Sequence, residues 1–465
     1  MNTPTHDGFP TTQLFLLGLC RIAEPVALTS PLPYAYDMME FFMGPDRANA
    51  AFFAGIFVAI FSLTESLTGF WWGSLSDRIG RKPVLLLGCA GTMLSLFVLG
   101  FSTNIGIALL GRALGGALNG NVGVVQTMVG EMVTQPDHEP RAYAVMPFFF
   151  SIGCTIGPAL GGLLAQPSDK SPGVGGTSVI TRFPFLLPNI ACAGMVLATM
   201  VLAYLALDET HPRFRKKPVE RDNLIPQPDD SEHAPLLQSN NPSAGSLGGM
   251  LVGAVCLLSA HTVTYIQLLP IFLRTPPDRR VTQPNIHGVG GLGMSLSEVG
   301  VVMGVNGLIG LGVQMVFPVF TDWVGIKRTL LVMTTLHPLA YFGLPYLPWL
   351  PPTTWRVALW TWLTVRNVFS TFTYPILLIL IKRWTPNPLL LGRVNGLVAS
   401  AGAACRTFFP ALAGLLQTIG ETHQISALAW WGSGLVALLA AVQSWFLQVD
   451  EHSDDGRESS GTSHS

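Results

Sequence analysis

Apolar residues of this chain occur in long runs that short polar segments separate. Twelve of these runs hold about 20 residues or more, the length that an α-helix needs to cross the hydrocarbon core of a bilayer. The pattern therefore predicts an all-α polytopic membrane protein with twelve transmembrane helices. The predicted spans are 13–33, 50–72, 83–102, 105–133, 143–165, 183–207, 247–272, 299–320, 329–347, 355–381, 391–418 and 425–447.

One polar segment divides the spans into two groups of six. Residues 208–246 are rich in Pro, Asp, Glu, Lys, Ser and Asn, and such a composition buries too little apolar surface to fold. The expected organisation is two six-helix bundles joined by a flexible linker and flanked by two polar tails. Its parts are the tail 1–12, the N-terminal bundle 13–207, the linker 208–246, the C-terminal bundle 247–447 and the tail 448–465.

The two groups of spans repeat each other. The hexapeptide that begins at Asp322 resembles the one that begins at Asp77, at an offset of 245 positions. The heptapeptide that begins at Pro410 resembles the one that begins at Pro158, at an offset of 252 positions. Because each half has an even number of spans, the duplication is parallel.

Composition agrees with a membrane protein. Of the 465 residues only 11% are charged, whereas a soluble domain has roughly 25%. The net charge of −1 offers no basic surface for nucleic acid. The six cysteines lie within apolar runs, which is typical of packing residues rather than of disulfides. No span or loop assembles a nucleophile with a base, a metal cluster or a nucleotide loop, so neither an enzyme, a cofactor nor a metal site is expected.

Positive charges predict the orientation. Lys and Arg are twice as frequent in the connections on the side of the two termini as in those on the other side. Cytoplasmic loops carry this excess, so both termini and the linker are expected in the cytosol. The first run lacks a basic leader and is long enough to span, which argues against a cleaved signal peptide. The plasma membrane and the vacuolar membrane both remain open.

A charged hairpin follows the second span. The pattern Gly-x-x-x-Asp-Arg-x-Gly-Arg-Lys resembles the signature loop between helices two and three of the major facilitator superfamily. The resemblance implies a loop that controls conformational switching. Its glycines are expected to let the backbone turn tightly, and its aspartate is expected to accept hydrogen bonds from a helix N-terminus or an arginine. The residues of the motif are Gly73, Asp77, Arg78, Gly80, Arg81 and Lys82.

Four arginines lie within spans, namely Arg21, Arg112, Arg366 and Arg406. An arginine at the membrane centre costs about 2.5–3.5 kcal/mol on insertion scales, so each is expected to face a polar cavity and to have a partner. Arg21 and Glu24 are three positions apart and can pair on one helix face.

Glu24 lies near the membrane centre and precedes Pro25. We predict Glu24 as the proton-coupling acid with Arg112 as its electrostatic control. Glu65 is the next candidate acid, and a permanent pair with Arg21 would instead make Glu24 structural.

Two further stretches resemble motifs of the superfamily. The segment from Arg112 to Asn121 resembles the helix-four motif in which the arginine is linked to proton transfer. A second stretch resembles the helix-five motif of exporters, and it implies export. Its residues are Gly153, Gly157, Pro158, Gly161 and Gly162.

Polar residues within the spans are candidates for the substrate cavity. His261 and Tyr265 are four positions apart and share a helix face, although a lone histidine in a helix is more often structural. Trp72 and Trp430 are predicted to be interfacial anchors. The cavity candidates are Asn119, Asn121, Gln126, His261, Tyr265, Gln267, Asn306, Arg366, Asn395 and Arg406.

Together the stretches 19–25, 119–121 and 393–396 resemble fungal facilitators of the twelve-span drug:proton antiporter type, which are related to the zinc-induced-facilitator-like transporters of plants. The resemblance covers the chain apart from the linker and tails. It implies a monomer in the lipid bilayer that exports a small organic molecule in exchange for protons by alternating access. The alternatives are uptake or uniport of a sugar or amino acid, and a membrane sensor that does not transport. A sensor would more often carry a large folded cytosolic domain.

Overall fold

The structure, a computed structural model, describes residues 10–44, 49–133, 139–165, 179–211, 213–214, 242–277, 290–351, 353–384 and 388–447. These parts of the chain are almost entirely helical. Their α-helices are α1 (Thr11–Thr29), α2 (Ala35–Met43), α3 (Ala50–Ile79), α4 (Arg81–Gly100), α5 (Ile105–Ala117), α6 (Asn121–Met132), α7 (Glu139–Leu164), α8 (Val179–Arg182), α9 (Leu186–Ala206), α10 (Pro242–Arg274), α11 (Leu296–Val324), α12 (Ile326–Phe342), α13 (Trp355–Trp384), α14 (Pro388–Thr422) and α15 (Leu428–Trp445). A 3₁₀ helix, Leu344–Trp349, follows α12.

Helices and predicted spans coincide. Each predicted span overlaps one α-helix, except the fourth, which α5 and α6 share. Within the described ranges, eight helices are by themselves long and apolar enough to cross a membrane. The prediction of an all-α polytopic fold with two halves is confirmed. Because each half crosses an even number of times, α1 begins and α15 ends at one face, which we call the terminal face, and the opposite one is the distal face.

The fourth span is broken, so the prediction of one continuous helix there is wrong. Helix α5 ends at Ala117 and α6 begins at Asn121. The indole nitrogen of Trp72 donates a hydrogen bond of 2.8 Å to the carbonyl of Ala117, and a Cβ on Gly120 would lie 2.5 Å from the indole ring. Trp72 is therefore buried in the N-terminal bundle and is not an interfacial anchor. The break places Asn119 between the helices.

The connection between α3 and α4 is a single residue. Helix α3 continues through Asp77 to Ile79, and Gly80, with φ +100°, joins it to α4. The expectation that Gly73 helps to form the turn is wrong, because Gly73 lies inside α3 with open space around it. Gly325, with φ +89°, joins α11 to α12 in the same way. The two halves therefore share the geometry of this turn.

The bundles pack together through α3 with α14 and α7 with α11. A Cβ on Gly55 would collide with the carbonyl of Pro410, and one on Gly162 would collide with the backbone of Gly300. These close approaches lie in the halves of the helices that are nearer the distal face. The bundles are therefore joined at the distal face.

An ion pair links the bundles at the same face. Arg274, the last residue of α10, donates from Nε to Asp37 of α2 over 2.7 Å. Asp37 is 6% exposed and lies beyond the first span. Burial raises the pKa of the Asp37 carboxyl, and the Arg274 guanidinium opposes that effect. The sequence analysis missed this pair, because its two residues are 237 positions apart.

Candidate functional site

Two acids of the N-terminal bundle are joined through one amide. Glu24 forms an ion pair with Arg21 on α1. The side-chain nitrogen of Asn119 lies 3.2 Å from a carboxylate oxygen of Glu24 and 2.8 Å from one of Glu65. The predicted pairing of Arg21 with Glu24 is therefore present. Asn119, which the sequence placed among the cavity candidates, connects the acids of α1 and α3.

The local sequence explains how α1 presents these charges. Pro25 lies inside α1 and has no N–H group for the carbonyl of Arg21, four residues earlier, so one helical hydrogen bond is absent there. The guanidinium of Arg21 lies 5.1 Å from the ring centroid of Phe150 on α7. Arg21 is thus held between its acid partner and an aromatic face.

Glu65 has a counter-ion in the other bundle. Its carboxylate lies within electrostatic range of Arg406 on α14, besides Glu24 and Arg21. Arg406 has an exposed side chain. The cation paired with Glu24 therefore lies on the same helix, whereas Arg406 acts on Glu65 through space from the other bundle, with no ion pair between them among the described residues.

Arg112 contacts the N-terminal bundle mainly through carbonyls and aromatic rings. It donates to the carbonyls of Phe57 and Leu28 over 3.4 Å and 3.3 Å. Its guanidinium lies 4.9 Å from the ring centroids of both Phe57 and Phe61. Among the described residues it has no ion pair with Glu24, although both side chains line the same small cavity between α1, α4 and α5. An influence of Arg112 on Glu24 would therefore act through space.

The C-terminal bundle has a different interior. Nδ1 of His261 lies 2.7 Å from the hydroxyl of Tyr341, which donates to the carbonyl of His261 over 3.0 Å. The guanidinium of Arg366 lies 3.9 Å from the ring centroid of Tyr265. His261 and Tyr265 share a face as expected, and that face points into the bundle core. Trp430 packs edge-on against Tyr265 and is buried, so it is not an interfacial anchor either.

The remaining cavity candidates are scattered. Asn306 accepts two hydrogen bonds from Asn367, 2.8 Å and 2.9 Å long. Gln267 lies at the bundle interface beside Gly55. Asn121 packs against Gly88 and Cys89 of α4, so it faces a neighbouring helix of its own bundle. Gln126 is exposed. The side chain of Asn395 lies outside the described residues.

The glycines of α7 allow close contact with α1. A Cβ on Gly153, Gly157 or Gly161 would collide with Pro25, Thr29 or Ser30 respectively. Such small residues let helix backbones approach closely. Gly162 faces α11 instead, where its backbone meets Gly300. The helix continues through Pro158 to Leu164. These glycines therefore bring α7 against both α1 and the other bundle.

A second polar cluster lies at the terminal face, around the turn at Gly80. Arg81 forms ion pairs with Asp77 at 2.5 Å and with Glu131 at 2.9 Å. Asp77 therefore has an arginine partner, as expected. Arg78 is exposed. Lys82 donates to the carbonyls of Tyr204 and Leu207 at the end of α9. The cluster therefore ties α3, α4, α6 and α9 together.

Glu209 and Thr210 also belong to this cluster, although no motif in the sequence pointed to them. Both carboxylate oxygens of Glu209 accept backbone N–H groups at the start of α4, those of Arg81 and Lys82, each over 3.0 Å. Thr210 donates to Glu131 over 2.6 Å. An acid at a helix N-terminus satisfies otherwise unpaired donors. The contacts of 208–211 thus attach the first residues of the predicted linker to the N-terminal bundle; most of 212–246 lies outside the described residues.

Metal ligands do not cluster in the parts of the chain that the structure describes. No group of three or more His, Cys, Asp or Glu side chains there could hold a metal ion.

Comparisons with known proteins identify relatives of the whole chain. The sequence profile of the Major Facilitator Superfamily matches residues 34–369. The "Major facilitator superfamily multidrug transporter mfsB" of Aspergillus fumigatus is 34% identical over 99% of this chain and 87% of its own length. "Protein ZINC INDUCED FACILITATOR 1" of Arabidopsis thaliana is 26% identical over 92% of this chain and 88% of its own length.

A solved structure shows the same fold. The crystal structure of a D-xylose-proton symporter superposes with a TM-score of 0.70, at 15% identity, over 95% of this chain and 98% of that one. At this identity the likeness concerns the fold alone.

Proposed function

Because this chain belongs to the major facilitator superfamily and is thus a membrane transporter rather than an enzyme, we propose that it exports a small organic molecule in exchange for protons. The observation that carries the proposal is the arrangement of Glu24, Asn119 and Glu65 beside Arg406 of the other bundle. The exporter-type glycine pattern of α7 and the similarity to a fungal multidrug transporter favour export over uptake of a nutrient.

The proposal includes an orientation. With both termini in the cytosol, the distal face is the outer one, and the structure is closed to the outside by the Asp37–Arg274 pair and the glycine contacts. Rocking of the two bundles would open that face and close the terminal one. The protein acts as a monomer, since each chain contains both halves of the pathway. We place it in the plasma membrane or the vacuolar membrane.

The contacts favour Glu65 as the proton carrier. Rocking moves the bundles relative to each other, so the distance from Glu65 to Arg406 changes during the cycle. A nearby cation favours the charged form of a carboxyl group, and its departure favours the protonated form. Glu65 would therefore hold its proton less tightly in the outside-closed state seen here, where Arg406 is near, than in the state in which the outer face opens. This is the order that exchange of an internal substrate for external protons requires.

Glu24, the acid that the sequence favoured, has a different place in this scheme. Its ion-pair partner Arg21 is on the same helix and moves with it, so rocking does not separate the two charges. We propose that the Arg21–Glu24 pair is a fixed element that orients Asn119 toward Glu65. Arg112 contributes a constant positive potential at the same place.

The test is transport in proteoliposomes that contain the purified chain and a fluorescent drug. The imposed pH gradient is varied at constant drug concentration. Glu65→Gln should lose the dependence of transport on the gradient, with a loss of about tenfold or more, which corresponds to roughly 1.4 kcal/mol. Glu24→Gln should keep that dependence at a lower rate. Glu298→Gln is the matched control, because Gln can replace Glu in the capping box at the start of α11.

Two results would contradict the proposal. If Glu65→Gln kept wild-type gradient dependence while Glu24→Gln lost it, Glu24 would be the carrier. If the wild type moved the drug at the same rate with and without a gradient, the transport would not be proton-coupled.

A further inference from the structure

Arg366 lies in the core of the C-terminal bundle and has no acidic partner in the part of the chain that the structure describes. Its side chain is 5% exposed. It stacks on Tyr265 and interacts with the hydroxyl of Tyr341. No salt bridge among the described residues includes it. The acids on the described helices of this bundle are Glu298, Asp322 and Glu421, and each lies in the first or last turn of its helix.

Hydrogen-bonding groups around Arg366 are also unpaired. Nε and Nη2 of Arg366, the hydroxyl of Tyr265 and Nε2 of His337 are buried and have no hydrogen-bond partner among the described residues. The groups belong to one cluster, because the rings of Tyr265 and His337 lie 5.9 Å and 5.6 Å from that of Tyr341. An unpaired buried polar group destabilises a protein, and a charged one does so more strongly. The cluster therefore offers several donors and a positive charge that no described residue satisfies.

We propose that the cluster of Arg366, Tyr265 and His337 binds a small anion, either a halide or a carboxylate group. A guanidinium offers parallel N–H donors that match a carboxylate, the tyrosine hydroxyl donates a third hydrogen bond, and His337 donates a fourth in the Nε2–H tautomer. If the bound carboxylate belongs to the exported molecule, the substrate is an organic acid. This carboxylate form of the proposal rests on the proposed function. Binding of a halide does not.

The test measures thermal unfolding of the purified full-length protein in detergent, without a pH gradient. Sodium methanesulfonate is replaced at constant ionic strength by sodium chloride or by sodium benzoate. We expect a saturable rise in Tm of a few degrees for the wild type, because a ligand that binds the folded state stabilises it. Arg366→Gln should abolish the rise. Arg356→Gln should keep it, since Arg356 lies on the same helix and also stacks on an aromatic ring, Trp355, but is exposed.

The outcomes separate the two sources of the anion. A rise with chloride supports a halide site, and a rise with benzoate alone supports a carboxylate site. The proposal is overturned if neither salt raises the Tm of the wild type, or if Arg366→Gln responds as the wild type does. Should Arg366→Gln fail to fold, Tyr265→Phe decides, because it keeps the ring under Arg366 and removes one donor: an unchanged anion affinity would overturn the proposal. Since no transport is measured, these results are independent of whether the chain exports a drug in exchange for protons.

Discussion

Arg112 and Arg366 occupy corresponding places in the two halves and have different surroundings. They are 254 positions apart, close to the repeat offsets, and each is buried beside aromatic rings. Arg112 lies close to Glu24 and Glu65, whereas the described surroundings of Arg366 are histidines and tyrosines without an acid. Both halves of the duplication therefore contain the buried arginine. Among the described helices, acids at mid-span occur only in the first half.

We infer from this difference that the two halves have separate tasks. A carboxyl group can change its charge when a cation approaches or departs, so the half with the buried acids is suited to carry protons. A buried arginine keeps its charge throughout, so the half whose described helices have no acid at mid-span is suited to hold an anion. Three pairs of variants test this comparison.

The largest effect is expected from removing one arginine within the spans of each half, Arg21 beside the acids of the first half and Arg366 in the second. Arg21→Gln leaves Glu24 buried without its partner, which should lower the free energy of unfolding by about 3–5 kcal/mol. Arg366→Gln leaves no acid behind and should destabilise the protein by less than half as much. Denaturation of the purified variants in detergent measures both. The double variant Arg21→Gln/Glu24→Gln should recover most of the loss, and a double variant as unstable as Arg21→Gln would contradict the ion-pair interpretation.

An intermediate effect is expected from two asparagines. Asn119→Ala removes hydrogen bonds to two carboxylates and should lower the free energy of unfolding by about 1.5–3 kcal/mol. Asn367→Ala removes hydrogen bonds to the neutral Asn306 and should cost about 0.5–1.5 kcal/mol. The same denaturation experiment compares them, and transport under a pH gradient gives a second measurement. Only Asn119→Ala should change the pH profile; an equal change in Asn367→Ala would mean that the second half also carries protons.

The smallest effect is expected at the two turns. Asp77→Asn weakens the ion pair with Arg81, in which the Asp77 side chain is 65% exposed. An exposed ion pair contributes roughly 0.6 kcal/mol, so turnover should fall about threefold. Substrate affinity should stay within a few-fold, because the turn lies at the membrane surface. Asp322→Asn should have a smaller effect still. Initial transport rates at several drug concentrations separate turnover from affinity, and a selective loss of affinity in Asp77→Asn would place the turn in the binding site instead.

Local features of the sequence were enough to predict the helices, the two halves and one ion pair. The lengths of the apolar runs predicted the helices, because crossing a bilayer requires a fixed number of helical residues. The repeated motifs predicted the two halves, and the spacing of Arg21 and Glu24 predicted their pair, because residues three positions apart share a helix face. Each of these depends on neighbours along the chain.

The tertiary structure alone decided how the charges are connected. Asn119 reaches Glu65 across 54 positions, Glu209 reaches Arg81 across 128, and Arg274 reaches Asp37 across 237. The break before Asn119 depends on Trp72 packing against Gly120, and the place of Arg406 near Glu65 depends on how α14 packs on α3. Such contacts arise from the packing of whole helices, which no spacing within one helix specifies.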